Sequence, residues 1–375
     1  MAWNWQRKEW PNFSFKNDTL TALEAQFLQS SGMFFGAYKH ITDDEKQGLL
    51  IDIISEEALK TSEIEGEYLN RDSIQSSIKK HFGLQTTATR VPAAEQGIAD
   101  MMLDAYENFA VPLNHQTMHT WHSMLMAGRK DISNIGQYRT HAEPMQVVSG
   151  YVHMPSVHFE APPSNTMPQE MDAFINWFND TAPNGKRPMP ALARASIAHL
   201  YFVCIHPYED GNGRIARALT QKALAQSTGQ PSLLALSQTI QANKKAYYDA
   251  LENNNKQCEV TEWVAYFTAT LLGAQNNAEA LLNFVLAKTK LFDRLAGQIN
   301  DRQTKALERM FREGLAGFTG GMSADKYTKI TGASRATATR DLQDLVAKLA
   351  MTKTGKLKGT RYWLAAWFKE TRKNE

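Results

Sequence analysis

Apolar residues along this chain recur mostly three and four positions apart, which predicts helices over most of its length. Thr42-Asp43-Asp44-Glu45 is a polar start signal for a helix whose apolar face carries Leu49, Leu50, Ile53, Ile54 and Leu59. From about 92 to 128 the spacing predicts two helices, one burying Met101, Met102 and Leu103 and the next Met118, Trp121 and Leu125. Helical patterns resume over about 168–180, 190–205, 213–228, 240–255 and 260–290. The stretch 135–163 breaks the pattern. Val147-Val148-Ser149-Gly150-Tyr151-Val152 and Val157-His158-Phe159-Glu160 are short β-prone runs between Gly and Pro, and predict a hairpin. The N-terminus, with Trp3, Trp5, Trp10, Phe13 and Phe15, is too aromatic for a disordered tail and is expected to dock on the body as a cap. Near the other end, Ser323 caps a short helix through Ile330, Thr331-Gly332-Ala333 turns the chain, and Ser334 caps a helix through Leu349. A hairpin over 351–364 follows, which gives the order of a winged helix-turn-helix. The fold class expected is therefore all-α, relieved by the two hairpins.

A length of 375 residues predicts two or three units. The net charge of +2 conceals an asymmetry, since 326–375 alone is +8 and the rest must be −6. A basic end on an acidic body predicts a module with its own partner, DNA among the candidates. No stretch of about 18 apolar residues spans a membrane, and the start of the chain has no apolar signal core. Cys204 and Cys258 fit no metal or disulfide spacing, so a reducing cytoplasm is expected.

The chemistry concentrates in His206-Pro207-Tyr208-Glu209-Asp210-Gly211-Asn212-Gly213-Arg214-Ile215-Ala216-Arg217. Pro207 forces His206 out of the helical region and ends the preceding helix. Gly211 and Gly213 permit positive φ and a close approach to the backbone, and a new helix starts there, so its exposed amides form an anion site. Arg214 and Arg217 share the face of that first turn against the helix dipole, which is sensible with an anion between them. Asp210 offers a hard oxygen for Mg²⁺, and His206 a proton acceptor near neutral pH. Together they describe phosphoryl or nucleotidyl transfer.

This segment resembles the Fic family pattern His-Pro-Phe-x-Asp/Glu-Gly-Asn-Gly-Arg-x-x-Arg, departing from it only at Tyr208. The resemblance implies AMP transfer from Mg·ATP to a Tyr, Thr or Ser hydroxyl of a target protein or of the chain itself. His206 would be the base and Asp210 the Mg²⁺ ligand. Gly211, Asn212, Gly213 and Arg214 would hold the α and β phosphates, and Arg217 the γ phosphate. In that family a hairpin flap docks the target by strand addition, and Val157 and His158 occupy the matching place. Tyr247, Tyr248 and Asn255 resemble the adenine-binding segment, with one of the adjacent tyrosines turned to the core. Thr61-Ser62-Glu63-Ile64-Glu65-Gly66 matches the family's inhibitory pattern Ser/Thr-x-x-x-Glu-Gly/Asn, which implies that Glu65 takes Arg217 from the nucleotide; Glu63 and Glu67 flank it. The domains expected are an N-terminal cap with the inhibitory helix (1–90), a Fic catalytic core (91–290) and a winged-helix domain (291–375). That last domain would contact DNA or another protein, with a homodimer left open. Two other functions use the same residues: a hydrolase removing AMP, and a DNA-binding regulator whose Fic site senses nucleotide. His115, His119 and His122, at i, i+4 and i+7, lack a carboxylate or cysteine at a suitable step and predict no metal site.

Overall fold

The computed structural model describes residues 2–17, 20–86, 90–151 and 154–365; His153, expected on the hairpin, lies outside them. The chain separates into two compact units, one of residues 1–37 and 46–278, the other of residues 38–45 and 279–375.

In the first unit the aromatic N-terminus docks as expected. The indole of Trp5 donates to the Glu160 carbonyl (2.7 Å), that of Trp10 donates to Glu170 (2.9 Å), and Ser14 pairs with the chain at Glu259. Helix α1 (Leu20–Tyr38), which the apolar pattern did not predict, precedes α2 (Asp43–Ile64). Thr42 and Glu45 cap α2 reciprocally, as its start signal requires. Asn70 caps α3 (Arg71–His81), a second helix not anticipated. Helices α4 (Ala93–Glu107) and α5 (His115–Leu125) pack so closely that a Cβ built on Gly97 would lie 1.8 Å from the Met124 carbonyl oxygen. The hairpin follows as β1 (Gln146–Tyr151) and β2 (Met154–Glu160), antiparallel, with a register shift between Val147 and Val148.

Helices α6 (Met167–Asp180), α7 (Ala191–Ile205) and α8 (Asn212–Thr228) complete the centre. Of the residues of α7, only Val203 escapes full burial, as an all-round apolar helix demands. The helix expected over 240–255 is two, α9 (Leu236–Ala242) and α10 (Lys244–Asn253), broken at Asn243 (φ −137°, ψ 48°). Helix α11 (Thr261–Leu295) begins in this unit and ends in the other.

In the second unit Asn300 and Gln303 form a capping box for α12 (Asp301–Phe311), a third helix the sequence reading missed. Ser323 and Ser334 accept from the backbone to cap α13 (Ala324–Thr331) and α14 (Arg335–Ala347), as expected. Strands β3 (Met351–Thr354) and β4 (Arg361–Leu364) pair antiparallel. Leu295, Leu307, Met310, Tyr327, Leu342 and Met351 are central in this unit's core.

Candidate active site

The loop between α7 and α8 is held in shape from several sides. His206 ends α7 in the left-handed region (φ 52°, ψ 57°), and its carbonyl accepts from the Arg139 side chain at 2.8 Å. Arg139 is 1% exposed and also donates to Ser164 and to the Pro162 carbonyl. Burial with only neutral acceptors brings its guanidinium down to about 10. The Asn212 side chain is spent on the loop, accepting from the Tyr208 amide and donating to the Tyr208 carbonyl, which leaves its backbone amide for a ligand. Glu209 accepts from the amides of Ser133 and Asn134 and fixes the loop that leads to Arg139. Tyr208, the one departure from the family pattern, is fully buried and stacks on His122 at 4.0 Å.

His206 itself is partly buried, and its Nδ1 lies 3.2 Å from the Val203 carbonyl. A proton on Nδ1 would be donated there, which leaves Nε2 as the acceptor. Burial is the main force bringing the imidazole down to about 4; Arg139 adds to it, while Glu65 and Asp210 oppose it. It is therefore a neutral imidazole at pH 7 with Nε2 open to accept a proton.

The structure brings Glu65 to Arg217. The fully buried guanidinium donates to the Glu65 carboxylate (2.7 Å), to the Thr61 hydroxyl (2.6 Å) and to the Thr61 carbonyl (2.9 Å). Thus the first and fifth residues of Thr61-Ser62-Glu63-Ile64-Glu65 grip one arginine. Gly66 (φ 84°) then turns the chain out of α2, a conformation a side chain would resist. A Cβ built on Gly213 would lie 2.2 Å from Glu65 Oε1, so the carboxylate rests directly on the first turn of α8. It fills the place that helix-end amides and arginines prepare for an anion.

A second carboxylate was underrated by the sequence. Glu67 pairs with Arg214 at 2.5 Å, and Arg214 is also 3.2 Å from Asp210. Asp210 is held on its other oxygen by Arg129 at 2.9 Å, a residue the sequence did not single out. Burial tends to raise the Asp210 carboxyl, but Arg214, the Gly211 amide and Arg129 outweigh it and hold it below the ordinary carboxylate range. Glu63 turns elsewhere, to Lys60 and Gln241. Farther back on α2, Glu57 is buried, accepts from the Ser237 amide at 2.8 Å, and is raised by that burial.

The expected base-binding residues divide. Tyr247 is 2% exposed and its hydroxyl is bonded to His199, whereas Tyr248 is 38% exposed and donates to the Ile64 carbonyl at the end of α2. Asn255 is buried and donates to the His158 carbonyl on the hairpin. On that hairpin Val157 is 41% exposed, while the His158 side chain is tied to Ser149 and Glu252. His115 bonds Tyr138 and Asp172, apart from His122, which accepts from the Gly136 amide. Among the described residues no group of three His, Cys, Asp or Glu side chains forms a metal cage.

Comparison with known proteins bears on this site. Residues 112–224 match the Fic/DOC family, and residues 3–84 match a domain of unknown function, DUF4172. Protein adenylyltransferase fic-1 of Caenorhabditis briggsae is 31% identical over 87 residues, covering 23% of this chain and 16% of that protein. Protein adenylyltransferase fic-1 of Caenorhabditis elegans is 33% identical over 87 residues, with the same shares. The chain thus spans only about a sixth of the length of these relatives. The crystal structure of a Fic family protein from Desulfovibrio desulfuricans G20 covers 94% of this chain and 98% of its own, with a TM-score of 0.53 and 19% identity. That likeness shows the mostly helical Fic fold.

Proposed function

We propose that this chain, which carries a Fic domain homologous to the Fic adenylyltransferases, moves AMP from Mg·ATP to a Tyr, Thr or Ser hydroxyl of a target protein or of itself, with Glu65 as its brake. The observation that supports this most is the carboxylate at the start of α8. Glu65 lies where a Cβ on Gly213 would touch it and is gripped by the buried Arg217, so a site built for an anion holds one from its own chain. Removing that carboxylate leaves Arg217 and the first turn of α8 facing a triphosphate, while Arg214 stays paired with Glu67 and the Gly211 amide with Asp210 until the phosphates displace them.

The reaction follows from the placement of the groups. The target hydroxyl oxygen attacks the α phosphorus and its proton passes to Nε2 of neutral His206. The bond from the α phosphorus to the bridging oxygen breaks, and pyrophosphate leaves against Arg214 and Arg217. Asp210 suits Mg²⁺, which is commonly bound by one or two carboxylates together with substrate phosphates and water. When bound there, the ion would supply charge neutralisation to the phosphates. Asp210 must then exchange Arg129 or Arg214 for the ion. Tyr248 on α10, exposed and bonded to the end of the inhibitory helix, suits the base better than buried Tyr247. The exposed edge around Val157 suits a target strand. We read 291–375 as a winged-helix domain from the order α13, turn, α14 and hairpin. The cytoplasmic assignment rests on the two unpaired cysteines.

The test uses wild type, Glu65→Gly and His206→Ala/Glu65→Gly with Mg²⁺ and α-labelled ATP in cell lysate. Label on protein in the single variant, weak in wild type and absent in the double variant, is the expected pattern. No label from three folded proteins would overturn it, and release of AMP from a modified protein would establish the hydrolase instead.

A further inference from the structure

In the C-terminal unit, α14 buries one face and exposes the other. On α14, Ala338, Leu342 and Leu345 are fully buried, and Asp341 points the same way, bonded to Arg302 (3.0 Å) and to the Tyr327 hydroxyl (2.9 Å). Asp344 is occupied by Lys348 and Gln303. The opposite face, Ala336, Thr339, Arg340 and Gln343, is exposed throughout. These positions follow the i, i+3, i+4, i+7 spacing of one helical stripe. The hairpin after it exposes Lys353, Lys356 and Lys358. Among the described residues neither Arg340 nor these lysines has a carboxylate partner. The one acid near the helix start is Asp325, 3.8 Å from Arg335. Exposed Arg340, Lys353, Lys356 and Lys358, without a carboxylate partner among the described residues, present a field for a polyanion.

The side chains on the stripe narrow the choice. Arg and Gln are the residues that bond guanine and adenine edges in pairs, and Ala and Thr make room for a thymine methyl group. The turn of Gly332 (φ 73°), Ala333 and Ser334 sets α14 against α13 as the second helix of a helix-turn-helix. We propose that α14 and the β3–β4 hairpin form a surface for double-stranded DNA, with Arg340 and Gln343 in the major groove and Lys353, Lys356 and Lys358 on the phosphates. The A-form major groove is too narrow for such a helix, which excludes duplex RNA as an equal partner. Arg335 and the three lysines make about four phosphate contacts. The log–log salt slope should then be about −3.6, and binding should weaken about 100-fold between 50 and 200 mM salt.

The inference stands on this unit and not on AMP transfer. The full chain carrying His206→Ala is therefore titrated with a randomised 30-base-pair duplex by fluorescence anisotropy, and the retained duplexes are sequenced. We expect binding at 50 mM salt with the slope above. Lys353→Gln/Lys356→Gln/Lys358→Gln should reduce the slope by about three and weaken all sequences alike. Arg340→Ala/Gln343→Ala should leave non-specific binding within a few-fold and flatten the sequence preference by about ten-fold or more. No binding at 50 mM salt would overturn the proposal. So would binding unchanged by both sets, or equal binding of duplex RNA or polyglutamate. Arg340, Gln343, Lys353, Lys356 and Lys358 are all exposed, and circular dichroism melts check that each variant is folded.

Discussion

If Glu65 withholds Arg217 from the γ phosphate, wild type should scarcely distinguish ATP from ADP, and Glu65→Gly should. The magnitude follows from the geometry. Arg217 is fully buried, so a phosphate oxygen in place of the Glu65 carboxylate would make a charge-assisted bond shielded from water. Such a bond contributes about 1.5–3 kcal/mol. Taking about 2 kcal/mol, ADP should bind Glu65→Gly about 30-fold more weakly than ATP. The same change should cost the nucleotide-free protein stability, because one partner of a buried pair is removed. The cost stays near about 2 kcal/mol rather than the 3–5 of a fully buried pair, because Glu65 is 28% exposed and Thr61 keeps its two bonds to the arginine. For a unit of this size that is about 4–8 °C in Tm. Calorimetric titration of ATP and ADP into His206→Ala and His206→Ala/Glu65→Gly reads the affinities without turnover, and thermal melts read the stability. An ADP-to-ATP ratio that is the same in both proteins would refute the competition, whatever the melts show.

Other outcomes follow from neighbouring contacts. Glu67→Gln should raise label transfer by a few-fold, less than Glu65→Gly, because Arg214 keeps Asp210; an equal or larger rise in the same assay would make Glu67 the main brake. His206 has its folded pKa lowered to about 4 from 6.5, so it stabilises the fold fully above about 6.5 and loses that contribution as pH falls toward about 4. Since the Glu65 charge opposes that lowering, Glu65→Gly should move the acid limb of the rate profile to lower pH, and a limb above about pH 6 would contradict the sign. Gly97→Ala should destabilise by about 3 kcal/mol or more, since its Cβ meets backbone at Met124 that cannot move aside, and a melt within 2 °C of wild type would contradict the packing.

The loop 206–217 was legible because its residue types are rare in combination and lie next to one another. Most helix boundaries were legible too, being marked by Pro207, Gly211, Ser323 and Ser334. Helix α1 was missed because Gly32 and Gly36 and its scattered apolar positions blur the helical period. Helices α3 and α12 have strongly polar sequences, and their start signals, Asn70 for α3 and the Asn300–Gln303 box for α12, lie in polar segments without a long apolar run. Pairings distant in sequence left little signal. Glu67 with Arg214 and Arg129 with Asp210 join residues 147 and 81 positions apart, and one carboxylate on a polar segment looks like another. Asn255 was read as a purine contact; its Nδ2 is committed to the hairpin backbone, and only the fold reveals that competing acceptor.

The anchor at Glu57 lies one turn before the stretch of α2 that meets the arginines. Upstream, Ile53, Ile54, Glu57 and Ala58 are buried, and Ser237 fixes the carboxylate. The stretch from Thr61 to Glu67 reaches the arginines, so in the proposed function release would require this terminal turn to fray, with buried Thr61, Ser62 and Ile64 resisting, and not a helix to depart. On the function proposed above, the ease of that fraying would set the idle rate of transfer, tenfold for each 1.4 kcal/mol. The partly exposed Lys60–Glu63 pair, 2.6 Å apart, sits on this turn without touching the arginines and would tune that ease. If the proposed transfer holds, drift at such positions would retune how often it fires, with His206, Asp210, Arg214 and Arg217 unchanged.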